Sequence, residues 1–114
     1  MKLTNGGTMY EQRDVVLIPF PYTDMTGQKL RPGLIISNKR LNTSEDRICC
    51  LVTSSAPRDG VPINAFEKGK LPFTSWVKPH RLFTINQRII KKKLCTVSQG
   101  FHDRLVKEVE KYIH

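Results

Sequence analysis

The strongest constraint on this fold is a succession of short β-branched apolar runs, none longer than eight residues before turn residues close it. The first is Val15-Val16-Leu17-Ile18-Pro19-Phe20, then Gly33-Leu34-Ile35-Ile36-Ser37, then Arg47-Ile48-Cys49-Cys50-Leu51-Val52-Thr53-Ser54. Runs of this length, rich in Val and Ile, read as buried strands. Pro19 and Pro21 are expected to end the first strand, and residues 22–30 to form a polar loop before Arg31-Pro32 restarts the chain. Residues 38–46 read as a charged connection that can turn at Asn42-Thr43-Ser44-Glu45. A shorter strand is expected over 61–66, two more over 73–77 and 82–85 with Pro79 between them, and a last over 94–97. Strands this close together argue for a small barrel. The C-terminus differs. Ser98 is a good N-cap, and Phe101, Leu105, Val109, Tyr112 and Ile113 recur at helical spacing, which predicts an amphipathic helix that lids the barrel or makes a dimer contact.

At 114 residues the chain has room for one domain, expected over 10–114 after a flexible leader at 1–9. Its longest uncharged apolar-rich run, 15–22, falls far short of the roughly 18 residues that cross a bilayer. The first ten residues lack the apolar segment of a signal peptide, so the expectation is a soluble, cytoplasmic protein. Cys49, Cys50 and Cys95 form no Cys-x-x-Cys pair, and His80, His102 and His114 complete no zinc set with them; buried, reduced thiols are expected.

Charge is unevenly spread. Residues 29–93 hold fourteen Lys or Arg against four Asp or Glu, while the remainder holds five against six, within a total of +9. A basic middle between near-neutral ends is the footprint of a polyanion site or an acidic partner, although a solvated surface gives the same tally.

No phosphate-binding glycine loop, dinucleotide fingerprint or His-Glu-x-x-His motif is present. Asp14, Asp24, Asp46 and Asp59 do not cluster in sequence as a two-metal nuclease prefers. Arg31-Pro32 stands immediately before an apolar strand, where a guanidinium fork, its backbone restricted by the proline, can grip two phosphate oxygens. Taken alone, it reads equally well as a surface arginine. Thr53-Ser54-Ser55 ends a buried strand with hydroxyls that either donate to phosphate or make a turn. Lys78-Pro79-His80-Arg81 gathers three basic side chains around a histidine that titrates near neutrality, suited to exchanging a proton with a ribose hydroxyl but also consistent with a merely exposed ring. Trp76 reads as core rather than as a stacking platform.

Together these pieces resemble one family. Arg13-Asp14-Val15-Val16-Leu17-Ile18-Pro19-Phe20-Pro21-Tyr22-Thr23-Asp24, followed by Lys29-Leu30-Arg31-Pro32-Gly33-Leu34-Ile35-Ile36-Ser37, looks like the opening of MazF/PemK-type toxins of type II toxin–antitoxin systems. Leu51-Val52-Thr53-Ser54 is similar to their third strand and its terminal threonine. Ser75-Trp76-Val77 through Arg81-Leu82-Phe83-Thr84-Ile85-Asn86 is similar to their Ser-hydrophobic strand and the segment ending in Thr-Ile-Asp, with Asn86 for the usual Asp and Gly33 for the usual Ala or Val.

The resemblance, over residues 10–113, implies a mainly β SH3-like barrel with a C-terminal helix, the plasmid maintenance toxin fold shared by MazF, PemK and CcdB toxins, usually as a homodimer. It implies sequence-specific, metal-independent cleavage of single-stranded RNA without a cofactor, restrained by a cognate acidic antitoxin. By motif position Arg31 and Thr53 stand for the family's catalytic arginine and threonine. An Arg and an Asp two residues apart in the PemK-like branch are replaced here by Lys78 and His80, which keeps a cation and a proton acceptor. The loop leading to Arg31 is expected to gate the site, with Thr23, Gln28, Lys29, Ser54 and Arg81 as RNA-binding residues. Lys39, Arg40, Lys68, Lys70, Arg88 and the run 91–93 would add backbone attraction. Alternative readings are a toxin of the same fold that poisons a DNA topoisomerase, a basic nucleic-acid-binding module, or an inactive relative.

Overall fold

The computed structural model describes residues 9–21 and 28–114. The expected apolar runs become strands of one antiparallel sheet: β1 (Asp14–Pro21), β2 (Gln28–Ile35), β3 (Asp46–Thr53), β4 (Val61–Pro62), β5 (Phe66–Lys68), β6 (Trp76–Asn86) and β7 (Lys92–Val97). Their spatial order is β4-β6-β3-β2-β1-β7-β5, curled into a half-barrel. A four-residue helix α1 (Lys39–Asn42) follows β2, and α2 (Gln99–Glu110) ends the chain. Ser98 caps α2 as expected, its hydroxyl accepting the Phe101 amide at 3.1 Å.

The strands run further than the prolines suggested. β1 contains Pro19 and Pro21, β2 already begins at Gln28 and so contains Arg31-Pro32, and β6 passes through Pro79 as one strand where two were expected. Each of these prolines sits where an N–H is not needed by both neighbours. β1 pairs with β7 over Asp14 to Leu17, so Pro19 and Pro21 have β2 alone beside them. Pairing of β2 with β3 covers Gly33 to Ile35 and stops short of Pro32. Pro79 falls in a register break, where Leu51 faces Lys78 but Cys50 faces Leu82. The segment 61–66 forms two short strands, β4 and the start of β5, that pair with different partners, β6 and β7.

Strand alternation sends the core to both faces. Val15, Leu34, Cys50, Val52, Val77 and Val97 pack against Phe101, Leu105 and Val109 of α2, which lids this face. Val16, Ile18, Ile35, Cys49 and Ile90 form a second, smaller cluster on the opposite face, bordered by Phe20, Phe83 and Ile85. The adjacent cysteines therefore point opposite ways. All three thiols are free and buried, and burial pushes Cys49 and Cys50 up to about 12 and Cys95 to about 11, which leaves them unreactive.

Two arginines brace the N-terminal end. Arg13 takes a left-handed backbone (φ 82°), which lets its N–H bond Ile35 and its carbonyl accept from Val97. Its guanidinium bonds Glu67 at 2.7 Å and holds that carboxyl below its usual pKa. Arg47 is fully buried and donates to the carbonyls of Tyr10, Ser44 and Asp46 and to Gln87 Oε1. Among the described residues no helix is long and apolar enough to cross a membrane.

Candidate active site

Arg31 and Thr53 fall in register just beyond the point where β2 and β3 stop pairing. The ladder runs Ile35–Cys49, Leu34–Cys50, Gly33–Leu51, and extending that register by two residues sets Arg31 opposite Thr53. Pro32 has no N–H to continue the ladder, so the two strands lie unzipped at this point. Both side chains are on the face of the smaller cluster. A Cβ built on Gly33 would meet Ile18 Cδ1 at 3.0 Å, Phe83 Cζ at 3.1 Å and Cys49 Cβ at 3.6 Å. Arg31 is two residues from Gly33, and Thr53 four from Cys49, so alternation keeps both on that face. Arg31 also stands opposite Ile18 of β1, with Lys29 opposite Phe20 further along the same face. Phe20 and Phe83 pack edge to face at 5.0 Å and make an apolar floor beside the arginine.

The third strand of the site is β6. Trp76 pairs with Thr53 and Lys78 with Leu51, which puts Lys78 diagonal to Thr53 on the same face, half-buried. Trp76, expected in the core, is half-buried and stands directly opposite the threonine. Residues 79–81 fall in the register break. The structure therefore does not join His80 to the row: its ring lies against Tyr112, just past α2, with centroids 5.6 Å apart. Arg81 is exposed in the same break, and Ser54 is exposed just past β3. Gln28 opens β2 opposite Pro21, while Thr23 lies outside the described residues.

Thr53 Oγ1 accepts the Ser55 amide at 3.1 Å, so the turn-making role of this hydroxyl is real. That bond uses an oxygen lone pair and fixes the oxygen, while the hydroxyl donates to the Ser55 carbonyl only at an oxygen–oxygen distance of 3.5 Å. A donor held this loosely can turn to a phosphate oxygen. None of the ion pairs among the described residues involves Lys29, Arg31, Lys78 or Arg81. Lys29, Arg31 and Lys78, with no carboxylate partner among the described residues, share the face of this half-buried hydroxyl, and such a set attracts an anion. Asp14, by contrast, is buried and accepts from Thr96 Oγ1 and the Glu11 amide, a structural role. No group of three or more His, Cys, Asp or Glu placed to hold a metal occurs among the described residues.

Residues 11–113 match the family model described as "PemK-like, MazF-like toxin of type II toxin-antitoxin system". The chain belongs to this toxin family. A comparison with curated protein sequences finds no match. Among solved structures, the toxin is similar to an endoribonuclease in complex with its cognate antitoxin from a mycobacterial species (TM-score 0.75, 16% identity, 91% of this chain and 94% of that one). It is also similar to MazE–MazF from Deinococcus radiodurans (TM-score 0.72, 16% identity, 91% and 95%). A third likeness is to the Mycobacterium tuberculosis toxin MazF-mt6 (TM-score 0.70, 17% identity, 89% and 96%). These likenesses establish the fold of the toxin and the family establishes its class.

Proposed function

We propose that this toxin is an endoribonuclease that cleaves single-stranded RNA with the substrate's own 2′-hydroxyl as nucleophile. The observation that supports the reading is that Arg31 and Thr53 fall in register on one face, just beyond the point where β2 and β3 stop pairing. The 2′-oxygen attacks the adjacent phosphorus as its proton leaves, the bond to the 5′-oxygen breaks, and that oxygen takes a proton. The products are a 2′,3′-cyclic phosphate and a free 5′-hydroxyl. Charge builds on the non-bridging oxygens during attack, where the Arg31 guanidinium neutralises it and the Thr53 hydroxyl donates to one of them. Lys78, diagonal to Thr53, adds to the same field. By motif position His80 is assigned the proton acceptor, while its ring in this structure lies against Tyr112 and outside the Arg31–Thr53 row. Dependence on a 2′-hydroxyl explains selection of RNA over DNA.

The positive face also suits an acidic, disordered antitoxin segment that folds on contact and covers the site. We place the toxin in the cytoplasm as a homodimer, with residues 10–114 as its single domain and 1–9 as a leader. Lys29, Gln28, Ser54 and Arg81, with Thr23, are assigned to RNA binding around the site. Incubating the purified protein with a mixed RNA in EDTA tests the reading. New 5′-hydroxyl ends opposite cyclic phosphates support it; intact RNA overturns it and leaves a toxin that acts on another target, such as a topoisomerase.

A further inference from the structure

The most exposed large apolar side chain among the described residues is Phe73, at 72%. A lone apolar side chain at a protein surface is ordinary, but the chain on both sides of this one is anchored. Phe73 lies in the connection between β5 and β6. Before it, Leu71 packs against the larger core cluster, and Pro72 fixes its own φ and restricts Leu71. After it, Ser75 is buried, its hydroxyl donates to the Phe73 carbonyl at 2.9 Å, and its own carbonyl accepts the Ile63 amide at 2.9 Å. The ring is displayed on backbone already ordered, so contact with a ligand costs little further entropy.

The display stands beside the candidate site. Three peptide units separate Phe73 from Trp76, about 11 Å at most. Trp76 pairs with Thr53 across the ladder, so the Phe73 and Thr53 Cα atoms are no more than about 17 Å apart. The surroundings carry one sign of charge. No acidic residue occurs between Glu67 and Asp103, whereas Lys68, Lys70, Lys78 and Arg81 all fall within 68–81. None of these four cations forms an ion pair among the described residues. An exposed flat ring among unpaired cations is the combination that holds a single strand: the cations attract phosphates and the ring takes the face of a base.

We propose that Phe73 is a stacking platform for a nucleobase of the single strand held at Arg31 and Thr53. The inference rests on the reading that this site takes RNA, but not on cleavage.

The test measures affinity for two fluorescent single strands of equal length. One is 2′-fluoro throughout, with bases and phosphates but no 2′-hydroxyl; the other is abasic throughout, with the phosphates alone. Phe73→Ala is expected to weaken binding of the first roughly 5- to 150-fold, the loss of one stacked base, and to leave the abasic strand unaffected. The slope of log affinity against log salt is expected to stay as in the wild type, because no phosphate contact is lost. Phe73→Tyr should keep the affinity and Phe73→Leu should lose it. Unchanged affinity in Phe73→Ala, an equal loss on both strands, a shifted slope, or a wild type that does not bind the 2′-fluoro strand would each overturn the platform. The first of these outcomes would leave the ring for contact with a protein instead. Cleavage is scored separately on unmodified RNA. Its absence with the Phe73 pattern intact would sink the nuclease and spare the platform, and cleavage with unchanged affinity in Phe73→Ala would do the reverse.

Discussion

Arg47 and Arg31 stand on the same face of the sheet at opposite ends of β3, and their circumstances are opposite. Arg47, second residue of β3, is fully buried with its donors spent on three carbonyls and a glutamine. Desolvation lowers its pKa, and Glu45 chief among its neighbours opposes that. Arg31, facing the far end of β3, is half-buried and has no ion-pair partner among the described residues. The same guanidinium serves as a strut where the chain saturates it and as a ligand group where it does not. Pro32 makes the difference, because it ends the ladder that would otherwise zip the strands shut beside Arg31.

That comparison breaks if the two arginines respond alike to truncation. Arg47→Ala orphans buried carbonyls and should cost roughly 3–5 kcal/mol of stability, read as a large shift in a urea midpoint. Arg31→Ala should do the reverse, leaving the midpoint nearly unchanged while turnover falls roughly 10²- to 10³-fold, by analogy with the loss of one oxyanion donor. A smaller effect sharpens the account of the floor beneath the site. Gly33→Val would drive a side chain into Ile18 Cδ1 and Phe83 Cζ, at 3.0 and 3.1 Å from the first added carbon, and should cost about 1–3 kcal/mol.

The smallest effect concerns the helix-covered face. His102 of α2 is buried, its Nδ1 has no hydrogen-bond partner among the described residues, and desolvation lowers its pKa, with Asp103 opposing and Arg13 reinforcing the shift. The unfolded chain then binds a proton that the folded one refuses. Stability should accordingly fall as pH drops below about 6.5, the ordinary histidine value. Denaturant midpoints for wild type and His102→Leu between pH 7.5 and 5 should diverge, with the variant flatter.

Much of this was legible in the sequence because period and chemistry agreed. The β-branched runs 15–20 and 47–54 and the capped helix after Ser98 announced their elements, and the alternation of Cys49 and Cys50 followed from the strand. The prolines misled. Pro19, Pro21, Pro32 and Pro79 read as strand ends because sequence does not show which strand edge lacks a neighbour. The row joining Trp76, Thr53 and Arg31 could not be read either, since it depends on the register of pairings between distant segments. Trp76 looked like core for the same reason. Arg31-Pro32 carried the strongest local signal; the place of His80 depends on a register break and on Tyr112, neither of which leaves a local mark.

The central claim is that Arg31 and Thr53 act on one phosphodiester, and a double-mutant cycle of single-turnover RNA cleavage tests it most directly. Arg31→Ala, Thr53→Val and the double variant would be compared with wild type at equal folded concentration. Two groups gripping the same phosphoryl oxygens predict strong coupling, with the double variant losing far less than the product of the single losses. Fully independent losses, or wild-type rates in either single variant, would contradict it.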